Sequence, residues 1–228
     1  MYTIEYLKEH SNLPGPRGNL ELLYEFVKNA TEKQVIDCLT YITENVENSS
    51  EEYIGMCGVV GYAVHNKKST IDVLNFLKQY ASHNSWRIRE AVAMAIQEIS
   101  ENNMKETLEN IYILKNGNSF QRRAVVAGLC EPKLLKDKHI ANEVLGILLE
   151  ITNELGHNEK LSTGDESLRK ALAYGWSVAI VHTPENGKKV FERLLNCNGK
   201  HIRWIIKENL KKNRLIKLDP QEAVTNFV

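Results

Sequence analysis

The residues best placed to do chemistry are arginines that recur in equivalent positions of similar segments. Arg89, Arg122, Arg169 and Arg203 hold one position of a pattern repeated along the chain. Guanidinium groups in a row can grip successive phosphates or acidic side chains, because each presents a fixed fork of donors. The same arginines can instead bond the end of a neighbouring helix or a nearby glutamate. Arg87, Arg123 and Lys170 stand next to them, are expected to face solvent, and would add positive charge to the same rim.

A second cationic feature lies near the C-terminus. Between 200 and 217 the chain carries Lys200, Arg203, Lys207, Lys211, Lys212, Arg214 and Lys217 against Glu208 alone. Lys200, Arg203, Lys207, Lys211 and Arg214 step by three or four, so on one helix they would share a face. That face suits a phosphate backbone, or it is the solvated side of an end cap whose cations favour the helix C-terminus. The first 60 residues lean acidic, so a neutral total hides a polar molecule. Trp86 falls at a helix start, where a partly exposed indole could stack on a base; Trp176 and Trp204 follow apolar phases and read as core, and all three can serve packing alone. The loop 13–19, with two prolines and two glycines, is a stiff turn. It is either a connector or a ligand-contacting loop with Arg17 at its tip.

Several chemistries find no footing. Cys38, Cys57, Cys130 and Cys197 stand far apart, form no C-x-x-C pair, and read as reduced thiols packed as small hydrophobes. No two of the seven histidines lie at i,i+3 or i,i+4, so no helical zinc pair exists. Gly55, Gly58 and Gly61 form G-x-x-G-x-x-G at helical phase with no strand before it, which argues for close helix packing and against a dinucleotide site. No nucleophile elbow, phosphate loop, paired-carboxylate motif or metal cluster occurs, so no catalytic residue, metal ligand or cofactor is expected. Twenty-nine basic residues balance twenty-nine acidic ones among 228, which excludes a wholly basic nucleic-acid clamp and a highly charged disordered tail. No apolar run spans a membrane, and MYTIEYLKEH is not a secretory signal. The expected compartment is the cytoplasm, with a monomer as the default state.

The elements that would position these residues read as helices. Prolines stand only at 14, 16, 132, 184 and 220, apolar residues recur at helical spacing, and two-residue alternation is nearly absent. The helices also repeat. The segments 55–63, 88–96, 121–129, 168–176 and 202–210 align at steps of 33, 33, 47 and 34. One aligned position reads Met56, Arg89, Arg122, Arg169, Arg203. Two places on it reads Gly58, Ala91, Ala124, Ala171, Ile205, and the next is Val59, Val92, Val125, Leu172, Ile206. A small residue allows close approach and a branched one fills the layer. Between them lie amphipathic stretches at 69–80, 104–114, 140–155 and 188–195, each the expected outer partner of a pair. The 47-residue step implies a longer helix and loop within 132–164. Such a period marks stacked helical units, because a single pair cannot bury its own apolar stripe.

The segments SWRIREAVAMAIQEIS, SFQRRAVVAGL and ESLRKALAYGWSVAI resemble HEAT repeats. That resemblance covers residues 50–215 and implies an all-α fold, an α–α superhelix of antiparallel helix pairs with about five to six repeats and the second helix of each pair on the concave side. The aspartate the family often carries before the arginine is missing here. More distantly, the size and the DESLRKALAYGW stretch are similar to the HEAT-like bacterial DNA-alkylation-repair glycosylases, which use a concave aspartate and tryptophans around a damaged nucleotide. Asp165, Glu166 and Glu90 are the nearest carboxylates for such a role, and no W-D or D-x-x-D cluster accompanies them, so catalysis is not carried over. The expected organisation is one domain over 1–228: an N-terminal cap and first helix pair (1–50), repeats (51–215) and a tail (216–228). The expected function is a non-catalytic scaffold binding a protein or polyanionic partner in its concave groove. The alternative is a DNA-binding relative of the glycosylases that grips the phosphate backbone with a concave basic stripe.

Overall fold

The computed structural model describes residues 2–197 and 199–218. Among these every regular element is helical and no strand occurs. In chain order the α-helices are α1 (Ile4–Glu9), α2 (Leu20–Asn29), α3 (Glu32–Leu39), α4 (Ser50–His65), α5 (Thr70–Tyr80), α6 (Trp86–Asn110), α7 (Tyr112–Lys115), α8 (Ser119–Leu129), α9 (Lys138–Gly156), α10 (Thr163–Ile180), α11 (Pro184–Glu192), α12 (Lys200–Leu210) and α13 (Asn213–Leu218). Short 3-10 turns occupy Pro132–Leu134 and Arg193–Asn196. The chain forms two compact units, Met1–Ile113 and Leu114–Val228. Residues 219–226 and beyond, most of the expected tail, lie outside the described residues.

Local chemistry sets the helix starts. Thr31, Asn118 and Ser162 each accept from the third residue of the following helix, whose Gln34, Gln121 and Asp165 side chains bond back, completing capping boxes. Pro184 opens α11 at a position where its missing N–H costs nothing. The stretch expected at 104–114 is set off from the aligned part of α6 by Asn103, whose backbone leaves the helical region (φ −134°, ψ 44°) and whose side chain donates to the Lys67 carbonyl at 2.9 Å; the second half of α6 begins after this break and is followed by α7. The long step between the third and fourth aligned segments is taken up by the Pro132–Leu134 turn, the 19-residue α9 and the loop after it.

In the first unit α4 is the central helix, packed against α1, α2, α3, α5 and α6, and it is buried from Glu52 to Gly61. Its three glycines meet α3 and the turn after it in reverse order. A Cβ on Gly55 would lie 2.8 Å from Ile42, one on Gly58 2.8 Å from the Leu39 backbone nitrogen, and one on Gly61 2.8 Å from Val35. The G-x-x-G-x-x-G motif is therefore the contact line of two antiparallel helices. Along α4 and α6, Glu52 meets Ser85 and Gly55 faces Ile88, so these aligned helices run parallel with their N-termini level.

In the second unit α10 is central, packed against α8, α9, α11, α12 and α13. Ser119 bonds Asp165 at the starts of α8 and α10, and a Cβ on Gly175 would meet Val126 at 2.9 Å farther along. Arg169 meets His201, and Ser177 meets Asn209, along α10 and α12. These aligned helices are again parallel and in register. The aligned small and branched positions are buried in both units, from Gly58 and Val59 to Ile205 and Ile206.

Candidate functional site

The aligned arginines are engaged in different ways. Arg89 donates to the carbonyls of His83 and, at 2.7 Å, Asn84, closing the loop before its own helix. Arg122 donates from Nε to the Lys115 carbonyl at 3.0 Å and pairs with Glu154 at 2.6 Å. Arg169 lies 4.3 Å from the centroid of Trp204 and approaches His201 Nδ1 at 3.3 Å. Arg203 is exposed and Arg123 half-buried. Backbone carbonyls and neighbouring side chains thus take up the guanidinium groups of Arg89 and Arg122, while that of Arg169 lies over an indole.

Arg87 departs from the expectation that it faces solvent. Its side chain is 6% exposed and pairs with Glu52, itself fully buried, at 2.9 Å. The reason lies far away in the chain: the loop 13–19 covers the start of α6, and Arg87 Nη2 donates to the Gly15 carbonyl at 2.6 Å. Glu52 collects three donors, the Arg87 guanidinium, the Ser85 hydroxyl and the Asn48 N–H at 2.9 Å. A buried carboxylate with that many donors has its desolvation offset. Sequence reasoning did not single out Glu52; the S-x-x-E pattern from Ser49 was the available signal.

The C-terminal cations also depart from the expected single helix. α12 ends at Leu210, Lys211 and Lys212 form a turn, and α13 begins at Asn213. Lys200, Arg203, Lys207, Lys211, Arg214 and Lys217 are all exposed across these two helices, as is Lys170 on α10. Glu208 pairs with Lys211, and its carboxyl is held below the ordinary range by that hydrogen bond. The whole second unit leans the same way: nineteen basic residues face thirteen acidic ones, against ten and sixteen in the first.

The residues nearest to a glycosylase-like arrangement are occupied. Trp176 is fully buried and donates to Thr152 at 3.0 Å. Asp165 is buried; burial pushes its pKa up, but hydrogen bonds from Ser119 and Ser162 outweigh this and hold the carboxyl below the usual range. Trp86, at 49% exposure, is the open indole, with the Arg87 guanidinium 4.6 Å from its centroid. Trp204, expected in the core, is half-buried under Arg169.

Among the described residues no group of three or more His, Cys, Asp or Glu could hold a metal ion. No described helix is long and apolar enough to cross a membrane. Cys38, Cys57 and Cys130 are buried, and burial pushes Cys38 and Cys130 up to about 12. What fold and surface define is the class: an all-α protein with parallel, register-matched helices in each unit and an exposed cationic face on α12–α13. No family model, curated protein or solved structure matches the chain.

Proposed function

We propose that the protein is a non-catalytic, HEAT-like helical-repeat module that binds a polyanionic partner, with α12–α13 as the contact face. The α–α superhelix is the architecture this reading implies. The observation that carries it is the run of exposed cations from Lys200 to Lys217, opposed on those helices by Glu208 alone. Parallel stacking of aligned helices in each unit supports the repeat part of the reading. The basic stripe moves from its expected place: Arg89 and Arg122 serve their own loops and a glutamate, and the contact face is carried by the exposed side chains of Arg203, Lys207, Lys211 and Arg214.

Such a face steers a polyanion toward it and releases counterions on contact. Titration of duplex DNA with the full chain at rising salt tests this. The affinity should fall with a log–log slope of about −0.9 per phosphate contact. Lys207→Glu with Lys211→Glu should abolish the salt-dependent component, and Arg122→Glu should leave it in place. Absence of any salt-sensitive binding removes the polyanion reading.

A further inference from the structure

A cleft of about 370 Å³ lies between the end of α4 and α5, within the size range of small-ligand sites. Asp72, Asn75, Phe76 and Gln79 stand at i, i+3, i+4 and i+7 of α5, so one helix face supplies four of its lining residues. Tyr62 and Asn66, four residues apart at the end of α4, line the other side. Tyr62 and Phe76 stack between the two helices, with centroids 3.6 Å apart and planes 15° apart, which fixes one wall against the other. Asn66 Nδ2 donates to the Tyr62 carbonyl at 2.9 Å, and Asp72 accepts from the Ser69 hydroxyl. The Tyr62 hydroxyl and the side-chain amides of Asn75 and Gln79 bond no other described residue.

We infer that this cleft binds a neutral saccharide of one or two pyranose rings. The lining chemistry selects that class. No lysine or arginine lines the cleft, so nothing there holds a phosphate or a carboxylate, and Asp72, its one charged group, repels both. A sugar hydroxyl donates and accepts at once. Three amides and a phenol offer both roles within one cleft, and the Asp72 carboxylate has lone pairs left to accept from further hydroxyls. The ring carbons of Tyr62 and Phe76 give the C–H groups of a pyranose an apolar contact. A methylated ammonium calls for rings set around it as a cage, whereas these two rings cover one face of each other. The cleft uses no cation and belongs to the first unit, so it is independent of the α12–α13 reading, and either can fail without the other.

Saturation-transfer NMR on the full chain tests the inference, with glucose, galactose, mannose, N-acetylglucosamine, maltose, cellobiose and lactose as probes. At least one should receive magnetisation on its ring protons and titrate to saturation. Asn75→Ala and Gln79→Ala should each weaken that sugar about fivefold or more, and Lys207→Glu should leave it unchanged. Both altered side chains are exposed, and thermal melting of each variant checks that the fold is kept. No response from any sugar of the panel, or equal affinity in both alanine variants, overturns the proposal. So does transfer to trimethyllysine or adenosine that the same variants remove while no sugar responds, which would assign the cleft to a cation or a base.

Discussion

Glu52 and Arg87 meet at 2.9 Å as a buried ion pair that joins the start of α4 to the start of α6 and, through Gly15, to the loop before α2. Removing one member leaves an uncompensated charge with no access to water. Arg87→Met should cost about 3–5 kcal/mol in urea unfolding, and the double variant Glu52→Leu/Arg87→Met should recover part of that loss. Equal destabilisation by the single and double changes would show that packing, not charge, dominates there.

The glycines of the helix interiors separate into two kinds. Gly58→Ala puts a methyl 2.8 Å from the Leu39 backbone nitrogen, where no side chain can yield, so α3 and α4 must part and the protein loses stability. A Cβ on Gly146, exposed in α9, meets nothing within 4 Å. Gly146→Ala should therefore stabilise by about 0.5–1 kcal/mol through helix propensity alone. Unfolding midpoints of the two variants should move in opposite directions.

His83 makes folding sensitive to pH. Its Nδ1 accepts from the Ser85 N–H at 3.0 Å and its Nε2 faces the Thr43 carbonyl at 3.1 Å, an arrangement that needs the neutral ring. Burial lowers its pKa below the ordinary 6.5, and burial lowers that of His182 as well. The unfolded chain then binds more protons than the folded one in this range, so stability present above pH 6.5 drains away as pH falls below it. The urea midpoint should drop through that window, and His83→Gln should flatten the slope. An unchanged slope would exclude His83 as its source.

Asn209 joins α12 to α10 through two buried hydrogen bonds, accepting from the Ser177 N–H at 2.9 Å and donating to the Leu172 carbonyl at 2.9 Å, and also donates to the Ile205 carbonyl of its own helix at 2.8 Å. Asn209→Leu leaves the Ser177 N–H without this acceptor and should destabilise by about 1–3 kcal/mol. Calorimetry of the variant gives the value.

Thiol reactivity should divide the cysteines. Cys197 is half-exposed, while the other three are buried with their thiols held protonated. A disulfide reagent at mildly alkaline pH should modify Cys197 in the native protein and reach Cys38, Cys57 and Cys130 only after denaturation. Cys197→Ser should remove the native reaction.

The helices and their register were legible because burial leaves a periodic mark. The aligned small residues and the glycine series showed in the sequence which faces come close, and the helix start at Trp86 was legible from the Ser85 cap before it. Arg87 was not legible. It stands two residues from Arg89, and only a loop 72 residues away decides that it is covered. The break between α12 and α13 was missed because the cations keep their spacing through the turn at Lys211 and Lys212. Asn209 and Glu52 were missed because a buried polar residue on an apolar stripe looks like an imperfection until its partners are known.

The glycine series on α4 also constrains how the gene can change. Three contacts in sequence with α3 and its following turn act like the teeth of a ratchet. Deleting or adding one residue between Gly55 and Gly61 would turn the rest of the helix by about 100° and present bulky side chains where the backbones now touch. This segment can therefore drift by substitution at other positions, but its length is fixed.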